Sequence, residues 1–214
     1  KAEMYGVPQM RRRLFILGIN SKYPFSDESW FPKETHKEYR KNMQDINLGL
    51  FGDDLKDFVN CKTALYGLPE IKSGEGDDVL DYPQNIDFKI NDEFLKHVLS
   101  WNNNKNIDKK IYNHKAPNHT EKMLKMIKKA EPGSQVDPKY SDSKKLHPQA
   151  PSYTVKALGA GGGSTNRRAF HFDSRLARGT TVRENARFQS FPDWYVFKSA
   201  PTNQMSLVGN AVPP

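Results

Sequence analysis

The sequence predicts an α/β fold, and three observations carry that prediction. Residues 14–17, Leu-Phe-Ile-Leu, form a continuous apolar run, the pattern of a strand buried on both faces. Two later segments, residues 91–101 and 119–130, place apolar side chains at helical spacing. Residues 132–180 turn rich in Gly, Pro, Ser and basic residues. Short β-like pieces such as SYTVKAL there predict a small irregular, strand-containing unit.

Taken in order, the strand of residues 12–19 gives way to a loop broken by Pro24 and Pro32. FVNCKTALYGLPE predicts a short helix over residues 62–66, stopped by Gly67 and Pro69. KSGEGDDVLDYPQN is acidic and turn-rich, which predicts a surface connection. In NDEFLKHVLSW, Phe94, Leu95, Val98 and Trp101 share a helical face, and Asn102 to Asn104 end it. The clearest helix is APNHTEKMLKMIKKAEPG. Asn118 and Glu121 stand in capping-box spacing, Met123, Met126, Ile127 and Ala130 form the inner face, and Pro132-Gly133 stops it. Lys122, Lys125, Lys128 and Lys129 cover the other side, as a solvated face or a phosphate contact. Near the end, Thr181 and Glu184 again have capping-box spacing and start a helix at Val182 that stops before Pro192. SLVGNAVPP reads as a turn built on Gly209-Asn210.

Composition narrows the classes. The chain has 214 residues, enough for one large domain or two small ones. Lys1 in place of Met, and the apolar ending Val212-Pro213-Pro214, suggest that both ends continue into a longer protein. No apolar run reaches the roughly 20 residues of a membrane span. The one cysteine, Cys61, excludes an internal disulfide, a four-cysteine zinc site and a redox pair, and reads as an ordinary buried or half-buried thiol. The histidines are scattered, with no third ligand beside His114 and His119, so both read as ordinary surface residues and no metal is expected. The formal net charge of +8 is unevenly spread. Residues 51–94 carry 4 Lys+Arg against 11 Asp+Glu, and residues 95–170 carry 15 against 5. A basic block this concentrated suits a phosphate backbone, although a solvated lysine-rich surface has the same composition.

The segment GAGGGS, residues 159–164, is not followed by Gly-Lys-Ser/Thr and lacks the third glycine of a dinucleotide fingerprint. Its bare backbone suits a flexible loop or close approach to a base or phosphate. Lys156 before it and Arg167 and Arg168 after it favour DNA, making Lys156, Gly161, Gly162, Arg167 and Arg168 candidate contacts.

Three stretches carry more. YGVPQMRRRLFILG contains Gln9-x-Arg11-x-Arg13. RGTTVRENARFQSFPDWYVF contains Arg178, Thr181, Arg183-Glu184 and Ala186-Arg187, and VGNAVPP closes the chain. In this order they resemble the eighth, ninth and tenth motifs of the DNA cytosine-5 methyltransferases. CKTALYGLPE and HPQAPSYTVKA are also similar to that family's inter-motif sequence.

The resemblance implies a Rossmann-like, S-adenosylmethionine-dependent catalytic domain, incomplete here and contributed by both chain ends. Residues 1–94 would form the end of that domain, 95–176 a basic target-recognition region, and 177–214 the return to the catalytic domain. It implies double-stranded DNA as partner and a target cytosine flipped from the duplex. A cysteine thiolate attacks carbon 6, a glutamate supports nitrogen 3, and carbon 5 receives the methyl group. Arg13 would meet the cytosine's carbonyl oxygen, and Arg11 would meet phosphate or brace the pocket, with Gln9 beside them. On an alternating strand Arg12 points the other way and is expected in an ion-pair network. Asn210 and Ala211 would border the methyl donor. Arg183, Glu184 and Arg187 would be structural, in a helix that props the recognition domain.

The family's Pro-Cys-Gln, Glu-Asn-Val and glycine-rich donor motifs are absent from this sequence. The chain alone is therefore expected to be inactive, completed by an N-terminal catalytic half in the same polypeptide or a separate subunit. A bacterial restriction–modification setting, cytoplasmic and nucleoid-associated, follows from the resemblance. The alternative class is a non-catalytic DNA-binding or regulatory module. The family's tRNA-directed branch ranks below both, because its cysteine-containing signature is missing.

Overall fold

Among the described residues two hydrophobic clusters organise the protein, and one short buried helix, Val182–Phe188, packs against Cys61–Ala64, Lys110–Lys115 and Pro201–Asn210. The computed structural model describes residues 1–16, 18, 20, 22, 32–41, 54–100, 109–157 and 169–213. The elements run in the order of a 3-10 turn Ala2–Tyr5, then α1 Cys61–Ala64, β1 Gly76–Asp81, α2 Glu93–Val98, β2 Lys110–Lys115, α3 Glu121–Lys129, α4 Val182–Phe188 and α5 Pro201–Asn210. The class is mixed α/β, with one antiparallel sheet in which β1 pairs β2.

The predicted helices form where their signals lie, except that α2 closes at Val98, short of Trp101, which with Asn102 to Asn104 lies outside the described residues. The Asn60 side chain caps α1 and the Asp92 side chain caps α2, each accepting from the backbone N–H three residues on. α4 begins with the full reciprocal box. Thr181 accepts from the Glu184 N–H, and Glu184 reaches back to the Thr181 N–H. α3 departs slightly from expectation. Its cap is Thr120, which accepts from Met123, because the helix opens at Glu121 and leaves Asn118 outside it. Its Met123 and Ile127 are buried, as the apolar stripe requires.

Three expectations are overturned. Residues 12–16 form no strand, and Leu14 and Ile16 are 86% and 88% exposed. A strand exists through its neighbours' hydrogen bonds, and among the described residues this run has none beyond Gln9–Ser152 at its start. The acidic connection is instead β1, an exposed edge whose charges hid it; Asp81 pairs across the ladder with Lys110. Gly76 opens it at φ 88°, where a Cβ would run into the His114 carbonyl, so glycine permits the close approach of the strands. The closing turn is the end of α5, opened by Pro201 at a first-turn position and anchored by buried Met205 and Val208.

The main core draws on Val59, Phe94, Leu95, Val98, Leu146, Val155, Phe188, Phe197 and Met205, residues from all three expected regions. A smaller cluster seats α3 on Val136, Phe170 and Ala177. No helix among the described residues is long and apolar enough to cross a membrane.

Candidate functional site

The three motif-like stretches, far apart in sequence, meet at a buried polar junction. Residues 8–10 run parallel to 152–154, with Met10 N–H donating to Ser152 O and Ser152 N–H to Pro8 O. This aims Gln9 and Arg11 inward. Gln9 Nε2 donates to Phe188 O at 2.9 Å and Gln189 Oε1 at 3.1 Å, while Gln9 Oε1 accepts from Val155 N–H. Arg11 donates to Val155 O, to Gly209 O at 3.2 Å and to Ala211 O at 3.1 Å. Gln189 completes the junction by donating to Val208 O. The end of α5 also lies against residues 156–157, so close that a Cβ on Gly209 would overlap the Ala157 backbone.

Gln9, expected at the DNA, is thus fully buried, because both ends of its amide bind the interior. Arg11 is 3% exposed and clamps four oxygens, three of them backbone carbonyls, so it braces rather than reaching outward. Burial lowers its pKa from the ordinary arginine value, and Arg13 adds to that.

Beside the junction lies a hollow of about 430 Å3, lined by Lys1, Glu3, Met10, Arg11, Arg12, Arg13 and others. Arg13 is exposed at its edge, its Nη1 donating to Arg12 O. Arg12 lines the same hollow, contrary to the alternation expected of a strand, since the backbone here is not a strand. Two buried atoms near it, Glu3 Oε2 and Arg11 Nε, have no hydrogen-bond partner among the described residues. Asn210 is exposed and Ala211 half-buried at the end of α5.

The cations of α4 lie in a different setting. Arg178 forks onto Glu184 with two 2.7 Å bonds and donates to Ile71 O. Arg187 forks onto Asp193 and holds Ala64 O and Tyr66 O at the end of α1. Arg183 donates to Tyr112 O of β2 and to Pro192 O and Tyr195 O. All are buried. Burial resists charge on Glu184 and Asp193, but Arg178 and Arg187 outweigh it and hold both carboxyls below their usual range. Burial lowers Arg183, whereas Asp193 outweighs burial at Arg187 and raises it. Tyr82 donates its hydroxyl to Asp193 as well.

His114 is a correction. It is buried in β2, bonded to Thr181 Oγ1 at 2.9 Å and Pro69 O at 3.1 Å. Burial pushes its pKa down to about 4, and does the same to His171, 3.9 Å from Glu184. Cys61 is fully buried, with its thiol pushed up by burial and then by Glu184. Lys156 is exposed and paired with Asp142 at 2.9 Å. Gly161, Gly162, Arg167 and Arg168 lie outside the described residues. Among the described residues no group of three His, Cys, Asp or Glu could hold a metal ion. The residues that sequence reasoning missed are Gln189 and Asp193. Gln189 sat unassigned in RFQSF, and Asp193, the carboxylate that pairs Arg187, sat in FPDW with no signal beyond its spacing of six from Arg187.

Residues 1–214 match the family described as C-5 cytosine-specific DNA methylase. Among similar proteins, a Type II methyltransferase, M.DdeI, from Desulfomicrobium norvegicum is 27% identical over 98% of this chain and 49% of its own length. M.BbvI from Brevibacillus brevis is 29% identical over 100% of this chain and 44% of its length. The chain spans about half the length of the curated relatives it matches. A crystal structure described as a DNA modification methyltransferase encoded within an E. coli prophage has the same fold, with TM-score 0.69 and 23% identity over 99% of this chain and 54% of that one. The chain belongs to the C-5 cytosine-specific DNA methylase family.

Proposed function

We propose that this family member is the C-terminal portion of a DNA methyltransferase of bacterial restriction–modification, which methylates carbon 5 of a flipped-out cytosine in double-stranded DNA. The three stretches are then the eighth, ninth and tenth motifs of the family. One observation carries the reading: these stretches converge on Arg11, beside a hollow lined by Arg11, Arg12 and Arg13. The hollow is large enough for one base and rimmed by positive charge.

In this reading Arg13, at the edge, donates to the carbonyl oxygen of the extruded base. Arg11 holds the backbone of residues 209–211 in register with that base. The polar end of the donor fits against Asn210 and Ala211, where the amide is exposed and the backbone is fixed from behind. S-adenosylmethionine, when bound, supplies the methyl group as an electrophile. The nucleophile comes from outside this chain, because Cys61 is sealed in the core with its thiol pushed up, and only a thiolate attacks carbon 6. Arg167, Arg168, Lys156 and the glycines at 161 and 162 serve the recognition side, on DNA backbone and base edges.

Joining this chain to the upstream half of its protein, with tritiated S-adenosylmethionine and cytosine-containing duplex, tests the proposal. The expected result is label on DNA with both halves and none with this chain alone. No label from the assembled protein on any duplex would leave the non-catalytic DNA-binding alternative standing.

A further inference from the structure

Helix α5 ends at Asn210, and the last carbonyls of any α-helix lack partners inside it. The final turn of α5, Leu207-Val208-Gly209-Asn210, has no lysine, arginine or histidine to meet them. The partners come from far away in the chain. Gln189 Nε2 donates to Val208 O at 2.8 Å and to Ala211 O at 3.4 Å, and Arg11 Nη2 donates to Gly209 O and Ala211 O. On its other side Gly209 packs against the backbone of residues 156–157. Asn210, the exposed side chain of this turn, is therefore flanked by carbonyls held from behind.

The amide of Gln189 fits only one way round. Its Oε1 accepts from Gln9 Nε2 at 3.1 Å, and Gln9 is itself fixed by Phe188 O and the Val155 N–H. Turned over, Gln189 would set its oxygen against the Val208 carbonyl and its NH2 against the NH2 of Gln9. Its own backbone N–H is held by Ala186 O at 3.0 Å, at the end of α4, and the residue is 1% exposed. An apolar side chain would pack α4 on α5 as well; the matched amide adds a fixed register between them. We propose that Gln189 is a positioning residue for the methyl donor, setting the backbone of residues 208–211 so that Asn210 presents its amide to the donor's polar end. The inference rests on the reading above, that the donor lies against Asn210 and Ala211. Being buried, Gln189 acts through that backbone, so its loss falls on donor affinity and not on DNA affinity or on the methyl-transfer step.

The test uses the full-length protein that carries this chain. Calorimetry with S-adenosylhomocysteine reads donor-site affinity without turnover, and a 20-bp duplex reads DNA affinity. Gln189→Met keeps the side chain's length and removes its bonds. Val208 O retains the Ala211 N–H and Gln9 Nε2 retains Phe188 O, so neither is left bare. The Kd for S-adenosylhomocysteine and the KM for S-adenosylmethionine are expected to rise about tenfold, the size of one lost hydrogen bond, with kcat and duplex affinity within about twofold of wild type. Asn210→Ala should also weaken S-adenosylhomocysteine, and adding Gln189→Met to it should cost no more than about twofold further, because one acts through the other. If Gln189→Met does not fold, Gln189→Glu carries the test. It keeps an oxygen for Gln9 and loses the donor to Val208 O, and Arg11, bound to the same Ala211 oxygen, offsets its charge. Wild-type affinity for S-adenosylhomocysteine in these Gln189 variants overturns the proposal. So does a parallel fall in donor affinity, duplex affinity and Tm, which marks a general structural role, and so does full additivity with Asn210→Ala. The two readings separate cleanly. Weak binding in Asn210→Ala with wild-type binding in Gln189→Met sinks this inference alone, whereas wild-type binding in Asn210→Ala sinks the donor-site reading and this inference with it.

Discussion

Arg187 and Arg13 carry the same guanidinium into opposite surroundings. Around α4, every arginine is matched: Arg187 by Asp193 and two carbonyls, Arg178 by Glu184, Arg183 by three carbonyls. At the rim of the hollow, Arg13 faces solvent, and among the described residues its guanidinium donates to its neighbour's carbonyl. Arg11 stands between them, buried yet with one nitrogen unmatched among the described residues. A buried charge without a partner costs far more than its pairing returns, so the α4 cations are committed to the fold. A rim cation has little to lose and remains available to a ligand.

The largest effect that sharpens this contrast is Arg187→Met. It leaves Asp193 buried and uncompensated, and should destabilise the protein by about 3–5 kcal/mol in urea melts. Arg187→Met with Asp193→Leu should recover part of that loss, because both charges go together. A single variant as stable as wild type would end the claim that α4 is a structural hub.

Of the same order is a dependence on pH. His114 and His171 have pKa values lowered to about 4 in the fold, against about 6.5 in an unfolded chain. The folded state therefore holds fewer protons than the unfolded one between these values. Stability is full above about pH 6.5 and is lost as pH falls toward 4, by roughly 3 kcal/mol for each histidine. Glu184 and Asp193, depressed by their arginines, add loss in the same direction below the ordinary carboxylate range. Denaturation midpoints at pH 7 and pH 4.5 check it, and equal midpoints would contradict it.

A smaller effect follows from Thr181→Ala, which removes the α4 cap and the partner of His114. About 1 kcal/mol is expected, a fall of a few degrees in Tm.

The contrast also explains what could be read from the sequence. Local signals survived. The Thr181–Glu184 box, the α3 stripe and the buried Cys61 follow from spacing and composition, and the structure has all three. The order of the three stretches pointed to the family, and the whole chain matches it. Non-local partners did not show. A strand needs neighbours, so Leu14–Ile16 reads as buried core but lies exposed among the described residues. β1 is an edge whose charges mask its pairing with β2. Gln9 was expected outward because a polar residue beside arginines suggests a ligand. Its partners, Phe188, Gln189 and Val155, lie some 150 to 180 positions away in the chain, beyond any local pattern.

The smallest expected change in stability is the most telling. In the assembled protein, Arg13→Gln should leave Tm within about 1 °C, as for a surface substitution, and lower kcat/KM for methyl transfer to duplex DNA by about 100-fold, the loss of a charged bond to the base. A rate equal to wild type, or a Tm that falls in step with the rate, would contradict the division between cations that build the fold and cations that meet the DNA.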